Sequence, residues 1–152
     1  MSGTPVPSVP VRPPDDETVR RLLTETQVWA VVGLSANPRR PAWTVARFLQ
    51  QAGKQIVPVH PLANPVHGVT GYPSLDAIPF AIDVVDVFRR PDEAGAYADQ
   101  AVSIGATAVW FQLGIVDDEA YARATTAGLV MVMDRCPRIE WPRLVGPLPL
   151  PD

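Results

Sequence analysis

The sequence predicts an α/β protein in which a parallel sheet of about five strands is covered by helices on both faces. Short apolar runs alternate with amphipathic segments, which is typical of strand–helix–strand units. In addition, Gly53, Gly105 and Gly128 each stand one or two residues before such a run, where helices commonly end at glycine. Because crossovers between parallel strands are right-handed, we expect a Rossmann-like three-layer αβα fold with strand order 3-2-1-4-5.

The apolar runs locate the strands, and the amphipathic segments between them locate the helices. Capping residues and prolines mark helix starts near Asp15, Pro41, Pro91 and Asp117. The five strands are expected at residues 28–32, 55–59, 83–88, 107–111 and 129–133.

The two ends of the chain differ in composition from its middle. Residues 1–14 include five prolines among small residues, which predicts an extended or disordered arm. Residues 15–144 are expected to form one domain, because 152 residues is the size of a single folding unit. Residues 138–152 contain four prolines and little periodicity, so we expect them to lie along the surface, with 145–152 as a proline-rich tail.

Composition and charge argue against several classes of protein. A net charge of −3 disfavours a nucleic-acid binder that acts through a general basic surface. No apolar run reaches the roughly 18 residues that span a bilayer, and the N-terminus lacks the features of a signal peptide. With Cys136 as the single cysteine, no intramolecular disulfide can form, which favours a cytoplasmic location. Nothing in the composition demands a homodimer, although an edge strand or the tail could form one.

The stretch from residue 28 to residue 41 has the clearest functional geometry in the sequence. A buried strand, 28–32, runs into a tight polar loop, Gly33–Pro41, and a helix follows. The apolar face of that helix is formed by Val45, Phe48, Leu49 and Ala52. In such a unit the helix N-terminus directs unpaired N–H groups and a partial positive charge toward the space above the loop. We therefore expect an anion to bind there.

Residues that follow the other strands indicate a phosphate-bearing ligand near the switch point that we expect between strands one and four. Arg89 and Arg90 follow the third strand, and His60 follows the second. The loop lacks the G-x-G-x-x-G pattern, and no acidic residue stands at the end of strand two to hold a ribose, as in NAD sites. A neutral or basic residue at that place fits a ligand with an additional ribose phosphate, such as NADP or coenzyme A.

Several runs of sequence resemble one known family, the small stand-alone CoA-binding-domain proteins. The most specific runs are Val84-Val-Asp-Val-Phe-Arg-Arg-Pro91 and Val132-Met-Asp-Arg-Cys136, and the resemblance covers about residues 15–144. Further matching runs are Val31–Ser35, Arg40-Pro41, Val57–Val59, Tyr72–Leu75 and Ala108–Gly114. The fold of this family is similar to that of the CoA-binding domain of the succinyl-CoA synthetase α subunit. The resemblance implies coenzyme A or an acyl-CoA as ligand.

The same resemblance implies which residues contact the ligand. The loop around the CoA diphosphate would consist of Gly33, Leu34, Ser35, Ala36, Asn37 and Pro38, with Arg40 as the nearest cation. The adenosine end and the cleft walls would be formed by His60, Pro61, Phe88, Arg89 and Arg90, and a second contacting segment by Gln112 and Leu113. Family members commonly have Asn in place of His60 and a Ser-Tyr pair in place of Ala42-Trp43, so the polar contacts at these positions differ.

The expected function is a small non-catalytic or regulatory module that binds coenzyme A. The sequence shows no Ser-His-Asp order, no Cys-His motif and no metal-ligand spacing. His60 and His67 both precede the third strand, so neither matches the phosphate-carrying histidine that the synthetases have on a further domain. Three alternatives remain: an NADP-type oxidoreductase, the CoA-binding part of an acyl-CoA ligase assembly, and a pocket that has lost its ligand.

A separate hypothesis concerns Cys136. A lone cysteine after a strand is commonly a small buried apolar residue. If the thiol instead lies at the mouth of the pocket, it could form a mixed disulfide with the thiol of coenzyme A, and the neighbouring Arg135 could lower its pKa.

Overall fold

The computed structural model describes residues 12–148, which form a five-stranded parallel sheet covered by helices on both faces. The predicted α/β class, the number of strands and the three-layer arrangement are confirmed. The strands are β1 (Val28–Val32), β2 (Gln55–Val59), β3 (Val84–Val87), β4 (Ala108–Phe111) and β5 (Val130–Val132).

The sheet separates two apolar cores, because successive side chains of a strand point to opposite faces. In β1, Trp29 and Val31 lie in one core, and Ala30 and Val32 lie in the other. The first core is covered by helices α1 (Asp16–Glu25), α2 (Pro41–Gln51) and α5 (Pro137–Leu144). The second core is covered by helices α3 (Pro91–Ser103) and α4 (Asp118–Thr126).

The strand order is β2-β1-β3-β4-β5, and it differs from the predicted order 3-2-1-4-5 in the position of β3. The third strand lies beside β1, with Trp29 opposite Val84, rather than outside β2. The carboxylate of Asp83 fixes this pairing, because its Oδ2 accepts hydrogen bonds from the N–H groups of Gln27 and Val28 at 2.9 and 2.8 Å. All four residues of β3 are buried, as expected for a central strand.

The outer edge of β2 explains why no strand formed by residues 12–148 lies beyond it. Pro58 has no N–H group to donate to a neighbouring strand, which confines it to the edge of a sheet. Its carbonyl group, which faces this outer edge, accepts a hydrogen bond from Tyr72, and the carbonyl of Tyr72 accepts one from His60. The connection between β2 and β3, which contains only a short 3₁₀ helix at Leu75–Ala77, thus returns along the edge and closes it.

Helix α5 was not predicted, since its residues were expected to be irregular. Pro137 occupies the first turn, where the missing N–H has no helical partner in any case. Trp141 is buried against Phe48 of α2, with ring centroids 6.2 Å apart, and the ammonium nitrogen of Lys54 lies 5.8 Å from the centroid of the Trp141 ring. Because packing of one large aromatic stabilises the segment, its proline content is a poor guide to its structure.

Most of the predicted arm and half of the predicted tail fall outside the described residues, so the interpretation of 1–11 and 149–152 stays a prediction. At the described start of the chain, the hydroxyl of Tyr121 donates a hydrogen bond to the carbonyl of Arg12. Among the helices of residues 12–148, none has the length and apolar character that spanning a bilayer requires.

Candidate functional site

A cleft opens at the carboxyl ends of the strands, between the starts of α2 and α3. The chain leaves β1 toward one face of the sheet and β3 toward the other, so the switch point lies between these neighbours and not between the first and fourth strands. The cavity measures about 890 Å³, which is in the range of small-molecule sites.

The floor of the cleft beside β1 depends on a glycine. Gly33 has a φ of +91°, and its N–H donates a hydrogen bond to the carbonyl of Val59 at 2.8 Å. A Cβ atom at this position would lie 2.7 Å from the carbonyl oxygen of Phe88. The end of β1 and the end of β3 can therefore approach this closely only because residue 33 has no side chain.

The loop after Gly33 presents a row of unpaired amide groups. Within residues 12–148, the N–H groups of residues 34–36 make no hydrogen bond, and the same holds for the N–H of Ala42 in the first turn of α2. Its N-cap residue is Arg40, and no side chain of the described residues caps the helix. Successive free N–H groups next to a helix N-terminus form a concave anion-binding surface.

Polar side chains hold this loop in shape. The N–H of Asn37 donates to the Ser35 hydroxyl oxygen at 3.3 Å, and the side-chain carbonyl of Asn37 accepts from the N–H of Arg39 at 3.0 Å. Because the Ser35 oxygen acts as acceptor inside the loop, its O–H group is left to donate to a ligand.

The three arginines of the cleft differ in whether they form an ion pair with a carboxylate. Arg89 donates to Glu93 at 2.9–3.0 Å, and Arg90 donates to Asp92 at 2.9 Å. Arg40 has no ion pair within the described part of the chain. It also stands at the start of α2, so it is the cation of the cleft that is free to pair with an anion.

Two residues that depart from the family pattern have distinct surroundings. The Nδ1 atom of His60 accepts the N–H of Leu62 at 3.2 Å, so the neutral ring carries its proton on Nε2. The ring of Trp43 packs on His67, with centroids 4.5 Å apart, and the Nε2 of His67 lies 2.8 Å from the carbonyl of Trp43. His60 lines the cleft. Trp43 is absent from the cavity wall and packs on the loop that contains His67.

The inner wall of the cleft contains a buried polar pair. Gln112, which is 5% exposed, donates from Nε2 to Oδ1 of Asp86 at 2.6 Å. Asp86 is fully buried, and its second oxygen, Oδ2, has no hydrogen-bond partner among residues 12–148. Burial raises the pKa of Asp86 to about 8, although the hydrogen bond from Gln112 acts in the opposite direction. The carboxyl group is therefore mostly protonated at neutral pH.

Cys136 also lines the cleft, at the N-terminus of α5, and is 7% exposed. Burial raises the pKa of its thiol, and the backbone N–H groups of residues 138 and 139 lower it less. The prediction that Arg135 lowers the pKa of the thiol is wrong, because the guanidinium of Arg135 pairs with carboxylates instead. It lies 3.5 Å from Glu140 and 3.7 Å from Asp16. The thiol is thus a protonated group within reach of the cavity.

Most of the residues that the sequence predicts for the site do line the cavity, but four do not. The side chain of Leu34 is buried in the core, Ala36 and Pro38 are exposed outside the cavity, and Pro61 lines a smaller pocket beside His60. The predicted residues that line the cavity are Gly33, Ser35, Asn37, Arg40, His60, Phe88, Arg89, Arg90, Gln112 and Leu113.

Sequence reasoning missed several residues of the wall. Glu93 stands four residues after Arg89, a spacing that signals an ion pair on one helical face. The apolar members of the wall carried no such signal, because three of them have the pattern of ordinary core residues and Leu62 is an exposed loop residue. They are Ala42, Val45, Leu62 and Ile115.

Fold and site together define an open α/β protein with a cleft at its switch point, lined by an arginine and by a loop whose N–H groups have no partner among residues 12–148. Within residues 12–148, no group of three His, Cys, Asp or Glu side chains could hold a metal ion. Residues 27–142 match the family described as CoA binding domain, and this chain belongs to that family.

Relatives support this assignment over nearly the whole chain. The uncharacterized protein YneT of Bacillus subtilis is 34% identical over 126 residues, which is 83% of this chain and 93% of YneT. A hypothetical protein from Pyrococcus horikoshii has a solved structure with a TM-score of 0.84 and 39% identity, covering 91% of this chain and 99% of that one.

One larger protein shares the fold. The dinucleotide-forming acetyl-coenzyme A synthetase 1 of Candidatus Korarchaeum cryptofilum, in complex with phosphate and ADP, has a TM-score of 0.65 and 22% identity. The match covers 74% of this chain and 26% of the synthetase. At this identity, the match shows a common fold and no more.

Proposed function

We propose that this protein binds coenzyme A or an acyl-CoA in the cleft and acts as a small non-catalytic or regulatory module. The observation that carries this proposal is the row of N–H groups at residues 34–36, which make no hydrogen bond within residues 12–148. Their loop lines the same cavity as Arg40, which has no ion pair within those residues. A diphosphate requires such a set of donors and a nearby positive charge. Membership of the CoA binding domain family supports coenzyme A as the source of that diphosphate.

The surroundings of the two histidines support a role without turnover. His60 is hydrogen-bonded to the backbone of Leu62, and His67 to the backbone of Trp43. Neither bond links a histidine to a nucleophile, as general-base catalysis of the Ser-His type requires. Binding without turnover is therefore the function that this cleft supports best.

Replacement of Arg40 with Ala is expected to weaken coenzyme A binding about ten-fold or more, because a hydrogen bond to a charged group contributes about 1.5–3 kcal/mol. The measurement is isothermal titration of the protein and the variant with coenzyme A, acetyl-CoA, NADP and NAD. Arg47→Ala is the matched control, since Arg47 lies on the same helix, is exposed and is absent from the cavity wall. It should leave the affinity close to that of the unaltered protein.

Other outcomes of the titration would contradict the proposal. Binding of NADP in preference to coenzyme A would favour a hydride-transfer enzyme. Heat from none of the four compounds would favour a pocket that has lost its ligand. Co-purification with an ATP-grasp subunit would instead indicate the CoA-binding part of an acyl-CoA ligase assembly.

A further inference from the structure

The proposed binding function leaves the buried pair of Gln112 and Asp86 without a role. The Nε2 atom of Gln112 donates to Oδ1 of Asp86 at 2.6 Å, and the two side chains are 5% and 0% exposed. A carboxyl group offers Oδ1 as an acceptor both when it is ionised and when its proton is on Oδ2. This bond therefore holds the Gln112 amide in one orientation, with its nitrogen toward Asp86 and its oxygen away from it.

The amide oxygen of Gln112 accepts no hydrogen bond from residues 12–148. Among those residues, the one fully enclosed side-chain oxygen or nitrogen without a partner is Oδ2 of Asp86. The Gln112 oxygen is therefore not enclosed, and the surface that Gln112 reaches is the wall of the cleft. Since polar groups of nearly buried side chains are usually hydrogen-bonded, this oxygen is an acceptor that a donor of the ligand can complete.

The backbone of Gln112 is fixed as well as its side chain. Its N–H donates to the carbonyl of Val87 at 3.4 Å, and its carbonyl accepts the N–H of Ile115 at 3.0 Å. In the same turn, the N–H of Gly114 donates to Oδ1 of Asp134 at 2.7 Å. Because the protein itself holds both parts of the residue, a ligand that uses the amide oxygen has little of the protein left to order.

The register of the sheet gives the distance from this oxygen to the loop after β1. Four residues of the cavity wall directly follow residues that are paired across neighbouring strands, so they lie side by side at the carboxyl ends of the strands. In the order β2-β1-β3-β4 they are His60, Gly33, Phe88 and Gln112. Neighbouring strands are about 4.8 Å apart, so Gln112 lies about 10 Å from Gly33 along this line.

The arm of coenzyme A that joins its diphosphate to its thiol matches this distance. It has about thirteen chain atoms, the length of roughly four extended residues, or about 14 Å. With the diphosphate at the loop after Gly33, the middle of an arm that crosses β3 toward β4 passes Gln112. This part of the arm carries a pair of secondary amides, whose N–H groups are donors.

We propose that the amide oxygen of Gln112 accepts a hydrogen bond from an amide N–H of this arm, and that Asp86 is a positioning residue that aims the oxygen at the cleft. The inference rests on the proposed function, which brings the diphosphate to the loop after Gly33. It adds that the cleft recognises the arm as well as the nucleotide, so it distinguishes coenzyme A from nucleotides without an arm.

The test is isothermal titration with coenzyme A and with 3′-phospho-ADP, which is coenzyme A without its arm. Gln112→Leu should weaken coenzyme A binding about ten-fold, because the N–H of the arm loses its acceptor. The same variant should bind 3′-phospho-ADP as the unaltered protein does, which also shows that the cleft is folded. Gln51→Leu is the matched control, since Gln51 of α2 is exposed and absent from the cavity wall. It should bind both compounds with unaltered affinity.

The role of Asp86 is tested by a pair of substitutions and a double variant. Asp86→Asn keeps an oxygen that accepts from Gln112 and should bind coenzyme A within about two-fold of the unaltered protein. Asp86→Leu removes that acceptor and should weaken binding of coenzyme A but not of 3′-phospho-ADP. Because Asp86 acts through Gln112, the double variant Asp86→Leu/Gln112→Leu should bind coenzyme A no more weakly than Gln112→Leu alone.

A measurement on the ligand needs no variant. In an ester analogue of coenzyme A, an oxygen atom replaces the N–H of one amide, so the arm presents an acceptor to the Gln112 oxygen. One of the two possible analogues should bind the unaltered protein about ten-fold more weakly than coenzyme A. In Gln112→Leu this difference should disappear.

The inference is overturned if both ester analogues bind as tightly as coenzyme A, or if Gln112→Leu weakens coenzyme A and 3′-phospho-ADP equally. Losses that multiply in the double variant would show that Asp86 does not act through Gln112. In each of these cases coenzyme A still binds, so the proposed function stands. If the unaltered protein binds neither coenzyme A nor 3′-phospho-ADP, the proposed function fails and this inference fails with it.

Discussion

Asp86→Asn is expected to remove most of the pH dependence of stability between about pH 4 and pH 8. In the folded protein, burial raises the pKa of Asp86 from 3.8 to about 8, so the folded state keeps a proton that the unfolded state releases. Over that interval the unfolded state binds fewer protons, and stability therefore falls as the pH rises. Each pKa unit corresponds to about 1.4 kcal/mol, so the total decline amounts to several kcal/mol.

Urea titrations at a series of pH values measure this effect as the free energy of unfolding. Near pH 5, roughly one unit above the usual carboxyl pKa, the variant should be as stable as the unaltered protein or slightly less stable, because the added amide is partly unpaired. Above about pH 8 the variant should be the more stable protein. The exposed substitution Asp92→Asn should leave the decline with pH intact. A decline of equal size in Asp86→Asn would show that Asp86 is not its source.

Gly33→Ala is expected to lower the free energy of unfolding by about 2–4 kcal/mol and to abolish binding in the cleft. Two costs combine at this position. An L-residue is strained at a φ of +91°, and the added methyl group would lie 2.7 Å from the carbonyl oxygen of Phe88. Phe88 directly follows β3, and its N–H is hydrogen-bonded to Val32 of β1. Relief of the clash must move the loop after β1 away from β3, and the cleft lies between them.

Gly105→Ala separates these two costs. Gly105 has a φ of +77°, but a Cβ atom there meets nothing within 4 Å. It should therefore cost only about 1 kcal/mol, the effect of backbone strain, and should leave ligand affinity unchanged. Equal losses of stability in the two variants would contradict the importance of the close approach between β1 and β3.

The location of the cleft followed from the sequence because parallel strands bring their carboxyl ends to one edge of the sheet. Gly33, His60, Phe88 and Gln112 each follow a different strand, and the structure brings all four to one cavity. That inference is insensitive to strand order, so it held although β3 lies beside β1 and not outside β2. The signal for the true order was Pro58, which marks β2 as an edge strand.

Interactions between segments distant in the chain could not be predicted in the same way. The bond between Gln112 and Asp86 joins residues 26 positions apart, and nothing in either local pattern indicates that both side chains meet under the cleft. Helix α5 depends on contacts of Trp141 with Phe48, so its own composition is a weak signal. The local sequence around Cys136 indicated an arginine neighbour and missed the carboxylates of Asp16 and Glu140, which pair with that arginine.

Four features were predictable from local sequence: the α/β class, the five strands, the glycine turn after β1 and the family to which the chain belongs. These features depend on local periodicity, on glycine conformation and on short motifs, each of which involves only a few neighbouring residues. Three further features became visible only in the assembled fold. Among residues 12–148, they are the arginine that has no ion pair, the position of the thiol, and the burial of Asp86 with one oxygen unpartnered. Burial and pairing are properties of the assembled layers. They depend on which distant side chains surround each group and on how far water is excluded from it.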